Sequence, residues 1–134
     1  MQDSQEFSSE DAAKHNASLG KRGEDAAVRY LELRDYEIVE RNWSCRFGEA
    51  DIIARDGDAL VFVEVKTRSS IDHGFPEEAV TPTKRAKYEK IAAMYSRECN
   101  DLDIPLRFDV IAILVTGSDR ALLRHHINAF GQGD

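Results

Sequence analysis

The chain has 134 residues, of which 42% are hydrophobic and 32% charged, and this composition predicts one folded domain of ordinary size. Its formal net charge of -7 argues against strong nonspecific binding to nucleic acid, which usually requires a basic surface. A polar N-terminal segment and the lack of any apolar run of about 20 residues predict a cytoplasmic protein with no signal peptide and no membrane contact.

The first predicted elements are a disordered acidic leader over residues 1–15 and a helix from about Asn16 to Arg34. The leader shows no hydrophobic period, whereas the next segment repeats apolar and small residues every three or four positions. Gly20 and Gly23 lie on the repeated face, where they would let the helix approach a sheet closely. The folded domain is predicted to span residues 16–131.

Three strands are predicted next, namely Tyr36–Trp43 and the two arms of a hairpin within Gly48–Arg68. The hairpin reads GEADIIARDGDALVFVEVKTR, and an Asp-Gly pair between apolar runs is a strong signal for a tight turn. The first strand is predicted from alternation, whereas LVFVEV in the hairpin is nearly all apolar, which suits a central strand of the sheet.

A second helix is predicted to follow, with Thr81 as its N-cap and Pro82 at its first position. The strands Leu106–Val115 and Ala121–Ile127 come last, and Asp109 interrupts the first of them, so a structural hydrogen-bond partner is expected for it. The helix between strands three and four requires a crossover, so those strands should be parallel. The predicted fold is a single α/β domain with a mixed central sheet flanked by helices, in the order αβββαββ.

Four charged residues interrupt the apolar hairpin: Glu49, Asp51, Glu64 and Lys66. Strand alternation places all four on one face of the sheet, with small and branched residues on the other face. The register stays open at this point. A turn centred on Gly57-Asp58 would put Asp51 opposite Glu64, whereas a turn one residue earlier would put Glu49 opposite Glu64.

Two carboxylates on neighbouring strands repel each other unless something neutralises them. Magnesium does so well, because it takes one or two carboxylates, keeps several waters and leaves positions for phosphate oxygens. Asp51 and Glu64 are therefore candidate ligands for Mg²⁺ or Mn²⁺. Lys66 would orient the attacking water or stabilise charge developing on phosphorus. The alternative is a solvated sheet face, on which Lys66 only forms a salt bridge with Glu49 or Asp51.

An acidic residue, a hairpin and then Glu-X-Lys form a pattern that resembles the core of the PD-(D/E)XK nuclease superfamily. Here the pattern is Asp51 followed by Glu64-Val65-Lys66, and Glu24 matches the helical glutamate of the branch similar to Holliday-junction resolvases. The literal Pro-Asp of the pattern is absent, since Ala50 precedes Asp51, but proline there shapes the backbone and supplies no chemistry.

Longer phrases between Leu19 and Phe130 resemble the YraN-like family of small bacterial proteins. These phrases are GKRGEDAAVRYL, RNW, GEADIIARDGDALVFVEVKTR, RFDVIAI and INAF. The resemblance covers most of the chain. It implies a nuclease-like domain with a restriction-endonuclease-like core.

The resemblance implies a catalytic set of Glu24, Asp51, Glu64 and Lys66, in which Glu24 would complete the metal shell through water. Glu49 would support Lys66 without contacting the metal. The alternative for Glu24 is an exposed helical glutamate, paired with Lys21 or Arg29.

The second helix predicts a nucleic-acid-binding rim beside this site. Lys84 and Tyr88 share one helical face, and in related nucleases a polar residue and a tyrosine at this spacing face the site. With Lys87 and Arg68 they would form a local positive rim for phosphates despite the acidic total. The alternative is a solvated basic helix.

The leading functional hypothesis is a metal-dependent endonuclease, in other words a magnesium-dependent phosphodiesterase that cuts DNA. The resolvase-like branch points to branched or structured DNA, and two copies would cut a junction symmetrically, so a homodimer would fit. The alternative is a catalytically inactive module with a nuclease fold, used for binding or scaffolding. The acidic total and the short chain favour that alternative.

Overall fold

The computed structural model describes residues 9–69, 81–99, 103–116 and 120–129, with side chains from Lys14 onward. Its elements are α1 (Ser9–Leu33), β1 (Glu37–Cys45), β2 (Gly48–Asp56), β3 (Ala59–Ser69), α2 (Pro82–Glu98), β4 (Leu106–Val115) and β5 (Ala121–His126). The strands form one sheet in the order β1-β2-β3-β4-β5, antiparallel except for the parallel pair β3 and β4. The predicted α/β domain with a mixed sheet is confirmed, and the element order is that of a restriction-endonuclease-like core.

The start of the first helix differs from the prediction, because α1 begins at Ser9 rather than Asn16. The later part of the predicted leader, residues 1–15, therefore belongs to the helix. Residues 1–8 and the predicted end of the domain, from Phe130 onward, lie outside the described residues. Neither of the two described helices is long and apolar enough to cross a membrane.

Helix α2 begins as predicted. The Oγ1 atom of Thr81 accepts a hydrogen bond from the backbone N–H of Lys84 at 3.1 Å, and Pro82 occupies the first helical turn. Because this cap satisfies an N–H that has no partner within the helix, it fixes where the helix starts and how its first turn is oriented. Lys84, which pairs with Glu64 of β3, lies in this first turn, and Tyr88 follows one turn later.

The two helices cover opposite faces of the sheet, so the domain has two hydrophobic cores. The α1-side core contains Leu19, Ala27, Leu31, Ile52, Ala54, Val61, Val63, Ile111 and Ile113. The α2-side core contains Ala50, Ile53, Leu60, Phe62, Tyr88, Ile91, Ala92, Tyr95 and Val110. Strand β3 supplies alternate residues to the two cores, as a central strand buried on both faces should.

Helix α1 comes closest to the sheet at Gly23. A methyl group on Gly23 would collide with the side chain of Thr67 on β3, so only glycine permits this contact. The close approach predicted for this position is confirmed. The same prediction for Gly20 is wrong, because a methyl group there would meet open space.

Regular alternation breaks where β1 and β2 pass the predicted site, in addition to the register shift between Ile38 and Glu40 of β1. Ala50 packs into the α2-side core, but Ile52, two residues later, packs into the α1-side core. In an unbroken strand these two side chains would share a face. Opposite the intervening residue, Asp51, lies Asn42 of β1, whose backbone is left-handed with φ 54°. Asparagine tolerates this conformation, and the resulting local twist reorients Asp51.

Candidate active site

The β2–β3 hairpin adopts the first of the two predicted registers. Pairing runs from Asp56 opposite Ala59 to Ile52 opposite Val63, so the turn residues are Gly57-Asp58. Gly57 has φ 61°, a conformation that glycine adopts without strain. One further pair in this register would join Asp51 and Glu64, but the ladder ends before it.

The strands separate at Asp51, and its side chain takes the place of the next ladder contact. Its Oδ2 atom accepts a hydrogen bond from the backbone N–H of Val65 at 2.8 Å. Burial raises the pKa of Asp51 to about 6, against the lowering effect of that hydrogen bond, and the charges of Glu24, Glu64 and Glu49 raise it further. The carboxylate is therefore held in a place that disfavours its negative charge.

Asp51 lines a pocket of about 410 Å³ on the α1 side of the sheet. Glu24 of α1, Glu49 of β2, Asn42 of β1 and Thr67 of β3 contribute to its walls. Three of the lining residues are acidic and, in the described part of the chain, none is basic. The pocket is thus an acidic cavity at the end of the β2–β3 ladder.

Glu24 is fixed in this pocket by β1. Its Oε1 atom accepts hydrogen bonds from Arg41 at 2.8 Å and from Asn42 at 3.0 Å, and its side chain is 14% exposed. The alternative of an exposed glutamate paired with Lys21 or Arg29 is not found. Lys21 instead pairs with Asp25.

Glu64 lies on the α2 side of β3. Its neighbour Val65 packs against the α1-side core, so alternation directs Glu64 the other way. There, Oε2 of Glu64 pairs with Nζ of Lys84 at 3.0 Å. The Oε1 atom is buried and has no hydrogen-bond partner among the described groups. A buried acceptor left in that state costs about 1–3 kcal/mol.

The prediction that all four charges share one face of the sheet is wrong. Asp51 and Glu49 line the α1-side pocket, whereas Glu64 and, by alternation, Lys66 lie on the α2 side. The twist at Asn42 and the end of the ladder are the physical reason. The charge of Glu64 nevertheless raises the pKa of Asp51, so the two carboxylates lie near each other where β2 and β3 separate. We call this point the fork.

Lys66 and Arg68 continue along β3 from Glu64. Both are partly buried, and they lie opposite Ala112 and Leu114 of β4. Since side chains two apart share a face, Glu64, Lys66 and Arg68 form a row on the α2 side that leads to the carboxyl end of the strand.

Lys84 and Tyr88 of α2 both face the site, as their spacing predicts. Lys84 is engaged by Glu64, and Tyr88 is only 5% exposed. Burial, followed by the charges of Glu64, Asp51 and Glu49, raises the pKa of Tyr88 well above its ordinary value. Tyr88 therefore stays a neutral phenol beside the carboxylates and offers little surface to a nucleic acid. Lys87, in contrast, is exposed.

The donor set fits a magnesium-type site and does not form an all-protein metal cage. Among the residues that the structure describes, no three His, Cys, Asp or Glu side chains lie close enough together to hold a metal. Magnesium requires only one or two carboxylates and fills its other positions with water and phosphate oxygens. The unpartnered oxygen of Glu64 and the raised pKa of Asp51 are both features that a divalent cation would resolve.

Two residues of the site were not predicted, Arg41 and Asn42. Together they hold Glu24, and Asn42 also twists β1 opposite Asp51. One signal was available in the sequence: asparagine is depleted in strands, yet it occurs here inside a predicted strand. Its two contributions depend on how α1 packs on the sheet, which strand periodicity does not contain.

Comparison with known families matches residues 23–113 to a model described as Uncharacterised protein family UPF0102. The UPF0102 protein of Geobacter sulfurreducens is 48% identical over 120 residues, covering 90% of this chain and 94% of the relative. That of Rhodococcus opacus is 45% identical over 116 residues, covering 87% and 98%. That of Pseudarthrobacter chlorophenolicus is 50% identical over 108 residues, covering 80% and 81%. The range matched by the family model contains every candidate catalytic residue.

Proposed function

The chain belongs to the UPF0102 family, the YraN-like family that its phrases resemble, and from the geometry of the fork we propose that it is a metal-dependent endonuclease acting on DNA. The family's description names no activity, so the proposal rests on the site. One observation carries it. Asp51 and Glu64 each have one oxygen engaged by the protein, through Val65 and Lys84, and the second oxygen of Glu64 is buried without a hydrogen-bond partner among the described residues.

This arrangement suits a shared divalent cation. The engaged oxygens fix the orientation of both carboxylates, and the second oxygens would act as ligands for Mg²⁺ or Mn²⁺. When bound, such a cation would neutralise charge on the phosphodiester and increase the acidity of a water. The protein's part is to hold two ligands at a place where their own repulsion favours a cation.

Lys66 supplies a positive charge that would balance the negative charge developing on the phosphoryl oxygens. It follows Glu64 by two residues on the same side of β3, so its ammonium group would lie beside the substrate phosphate. Hydrolysis forms a bond between a water oxygen and phosphorus and breaks the bond to the leaving sugar oxygen. Lys66 would orient that water or stabilise the charge on the phosphoryl oxygens.

Glu24 acts from the α1 side. Arg41 and Asn42 hold its carboxylate in the same pocket as Asp51, where it would bind a water of the metal shell. Glu49, which is exposed at the edge of this pocket, would adjust the charge around the fork without binding the metal.

Branched or structured DNA is the substrate class that the resolvase-like pattern favours. A junction is cut symmetrically by two active sites, so we propose a homodimer as the active assembly.

A second candidate is a nuclease-fold module that binds or scaffolds without turnover. The Lys84–Glu64 ion pair at 3.0 Å favours it, because the protein already supplies one cation to that carboxylate. The net charge of -7 favours it as well.

A cleavage assay separates the two candidates. Wild-type protein is incubated with single-stranded, duplex, flap and four-way DNA, each with magnesium and with manganese. The endonuclease proposal predicts metal-dependent cleavage of at least one form. Lys66→Ala should lose nearly all cleavage and keep metal binding, whereas Asp51→Ala should lose both. Lys21→Ala, which removes an exposed lysine on α1, serves as the matched control and should cleave normally.

If no DNA form is cleaved with either metal, the endonuclease proposal fails and the binding module takes its place. If Lys66→Ala cleaves DNA as fast as Lys21→Ala does, cleavage does not depend on Lys66 and the reaction takes place at another site.

A further inference from the structure

On the α2 side of the fork, an exposed group of cations lies outside the proposed catalytic set. Arg46 and Phe47 form the turn between β1 and β2, and Lys87 and Lys90 of α2 lie against that turn. The guanidinium carbon of Arg46 is 4.9 Å from the centre of the Phe47 ring, and Nζ of Lys90 is 5.5 Å from it. We call Arg46, Lys87 and Lys90 the α2-side cation patch.

The patch is held in place by its surroundings. Phe47 is packed against the α2-side core, and its ring attracts the cations of Arg46 and Lys90. Lys87 lies across Gly48, where an added methyl group would come within 2.5 Å of its Cε atom. Glycine at position 48 therefore lets the Lys87 side chain lie close to the turn.

Within the described ranges, none of the three cations of the patch forms a salt bridge, whereas Arg41, Lys84 and Arg107 all do. Three neighbouring like charges repel one another, and an anion would relieve that repulsion. The chain as a whole has a net charge of -7, so this group is a positively charged region on an acidic protein.

The patch adjoins the fork on one side only. Gly48 directly precedes Glu49, and Lys87 follows Lys84, the partner of Glu64, by about one helical turn. The α1 side of the fork is the acidic pocket described above. A polyanion therefore meets attraction at the patch and repulsion at the acidic pocket.

We propose that the α2-side cation patch binds the sugar-phosphate backbone of the nucleic acid whose scissile bond lies at the fork. The inference rests on the proposed function and adds the side from which the substrate enters. Three cations correspond to about three phosphates. The slope of log affinity against log salt should then be about -2.7 for duplex DNA and about -2.1 for a single strand, which describes a weak and salt-sensitive contact.

Fluorescence anisotropy of labelled DNA tests this on the full chain in EDTA, with one duplex probe and one single-stranded probe. The variant Arg46→Gln/Lys90→Gln should bind about tenfold or more weakly at low salt, with a duplex slope shallower by about 1.8. The matched control is Arg29→Gln/Arg120→Gln, two exposed cations beside a groove between α1 and β5. The control should bind as wild type does, and the probe that wild type binds more tightly at the same salt concentration identifies the preferred strand form.

An equal loss in the control pair, an unchanged slope in the patch variant, or no binding by wild type would overturn the inference. The readout does not depend on metal or turnover, so patch-dependent binding without cleavage of any DNA would remove the proposed function and leave the patch as a surface that binds nucleic acid. If wild type cleaves DNA, the patch variant should raise KM and keep kcat. An unchanged KM would overturn the inference and leave the endonuclease intact.

Discussion

Asp51 and Asp109 are two aspartates in apolar strands of the same sheet, and their surroundings move their pKa values in opposite directions. Asp109 is 1% exposed and accepts hydrogen bonds from Arg107 at 3.0 Å, His125 at 2.8 Å and the backbone N–H of Asn128 at 2.9 Å. Burial alone would raise the pKa of Asp109, but these hydrogen bonds outweigh it and hold the pKa below its ordinary value.

Asp51 is held differently. The backbone N–H of Val65 donates to it, and burial, followed by the charges of Glu24, Glu64 and Glu49, raises its pKa to about 6. The difference is instructive. A buried carboxylate that the fold supplies with cationic and amide donors is part of the structure, whereas one surrounded by other carboxylates is suited to a cation from outside.

The largest expected effect is at Asp109. Asp109→Ala removes the acceptor for Arg107, His125 and Asn128 and should lower the free energy of unfolding by about 3–5 kcal/mol, because it breaks a buried ion pair from one side. Urea denaturation measures this. The matched change Asp51→Ala should cost far less in metal-free protein, and an equal loss at both positions would remove the distinction between them.

Asp51→Asn sharpens the comparison, because it keeps an acceptor for Val65 and removes the charge. Without metal at pH 7.5, this variant should be as stable as wild type or more stable by up to about 3 kcal/mol. The reason is that the wild-type carboxylate is ionised against a folded-state pKa of about 6. A loss of several kcal/mol in the same urea experiment would show a structural role like that of Asp109.

The pH dependence of stability should differ in sign at the two positions. The pKa of Asp51 is about 6 in the folded state, against 3.8 for an unperturbed aspartate, so folding binds a proton at pH values between the two. Wild type should therefore gain stability relative to Asp51→Asn as the pH falls from above 6 towards 4. The contribution of Asp109 is present above 3.8 and is lost as the pH falls through its lower folded-state pKa.

Denaturation of wild type and Asp51→Asn over this pH range measures the difference. If the two stability curves stay parallel, the raised pKa of Asp51 is contradicted.

The smallest expected effect is at Asn42, which directs Asp51 to its pocket. Asn42→Gly keeps the left-handed backbone and loses only the hydrogen bond to Glu24. Asn42→Val loses that bond and also strains the backbone, so it should be less stable than Asn42→Gly by about 1–2 kcal/mol. Thermal or urea denaturation checks this, and equal stabilities would mean that the twist at Asn42 does not depend on its left-handed conformation.

Features that depend on local sequence were predictable. The Asp-Gly turn restricted the hairpin to two registers, the Thr81–Pro82 pair gave the start of α2, and the helical crossover gave the parallel pairing of β3 and β4. The structural partner expected for Asp109 is also confirmed, since a buried charge inside an apolar strand requires one.

The face on which Asp51 lies was not predictable from alternation. It depends on the left-handed backbone of Asn42 on β1. The hydrophobic periodicity of β2 contains no information about a twist that a neighbouring strand imposes. The partners of Glu24 are a similar case. Arg41 and Asn42 reach it only after α1 has docked at Gly23, a contact between segments distant in sequence.

The most direct test of the account is an NMR titration of the side-chain carboxyl signals of Asp51 and Asp109, with and without magnesium. We predict that Asp51 titrates near pH 6 in metal-free protein and that magnesium moves its pKa downward, because a bound cation favours the ionised form. Asp109 should titrate below its ordinary value in both conditions. An Asp51 pKa near 4 that magnesium does not change would contradict the claim that the fork is built for a cation.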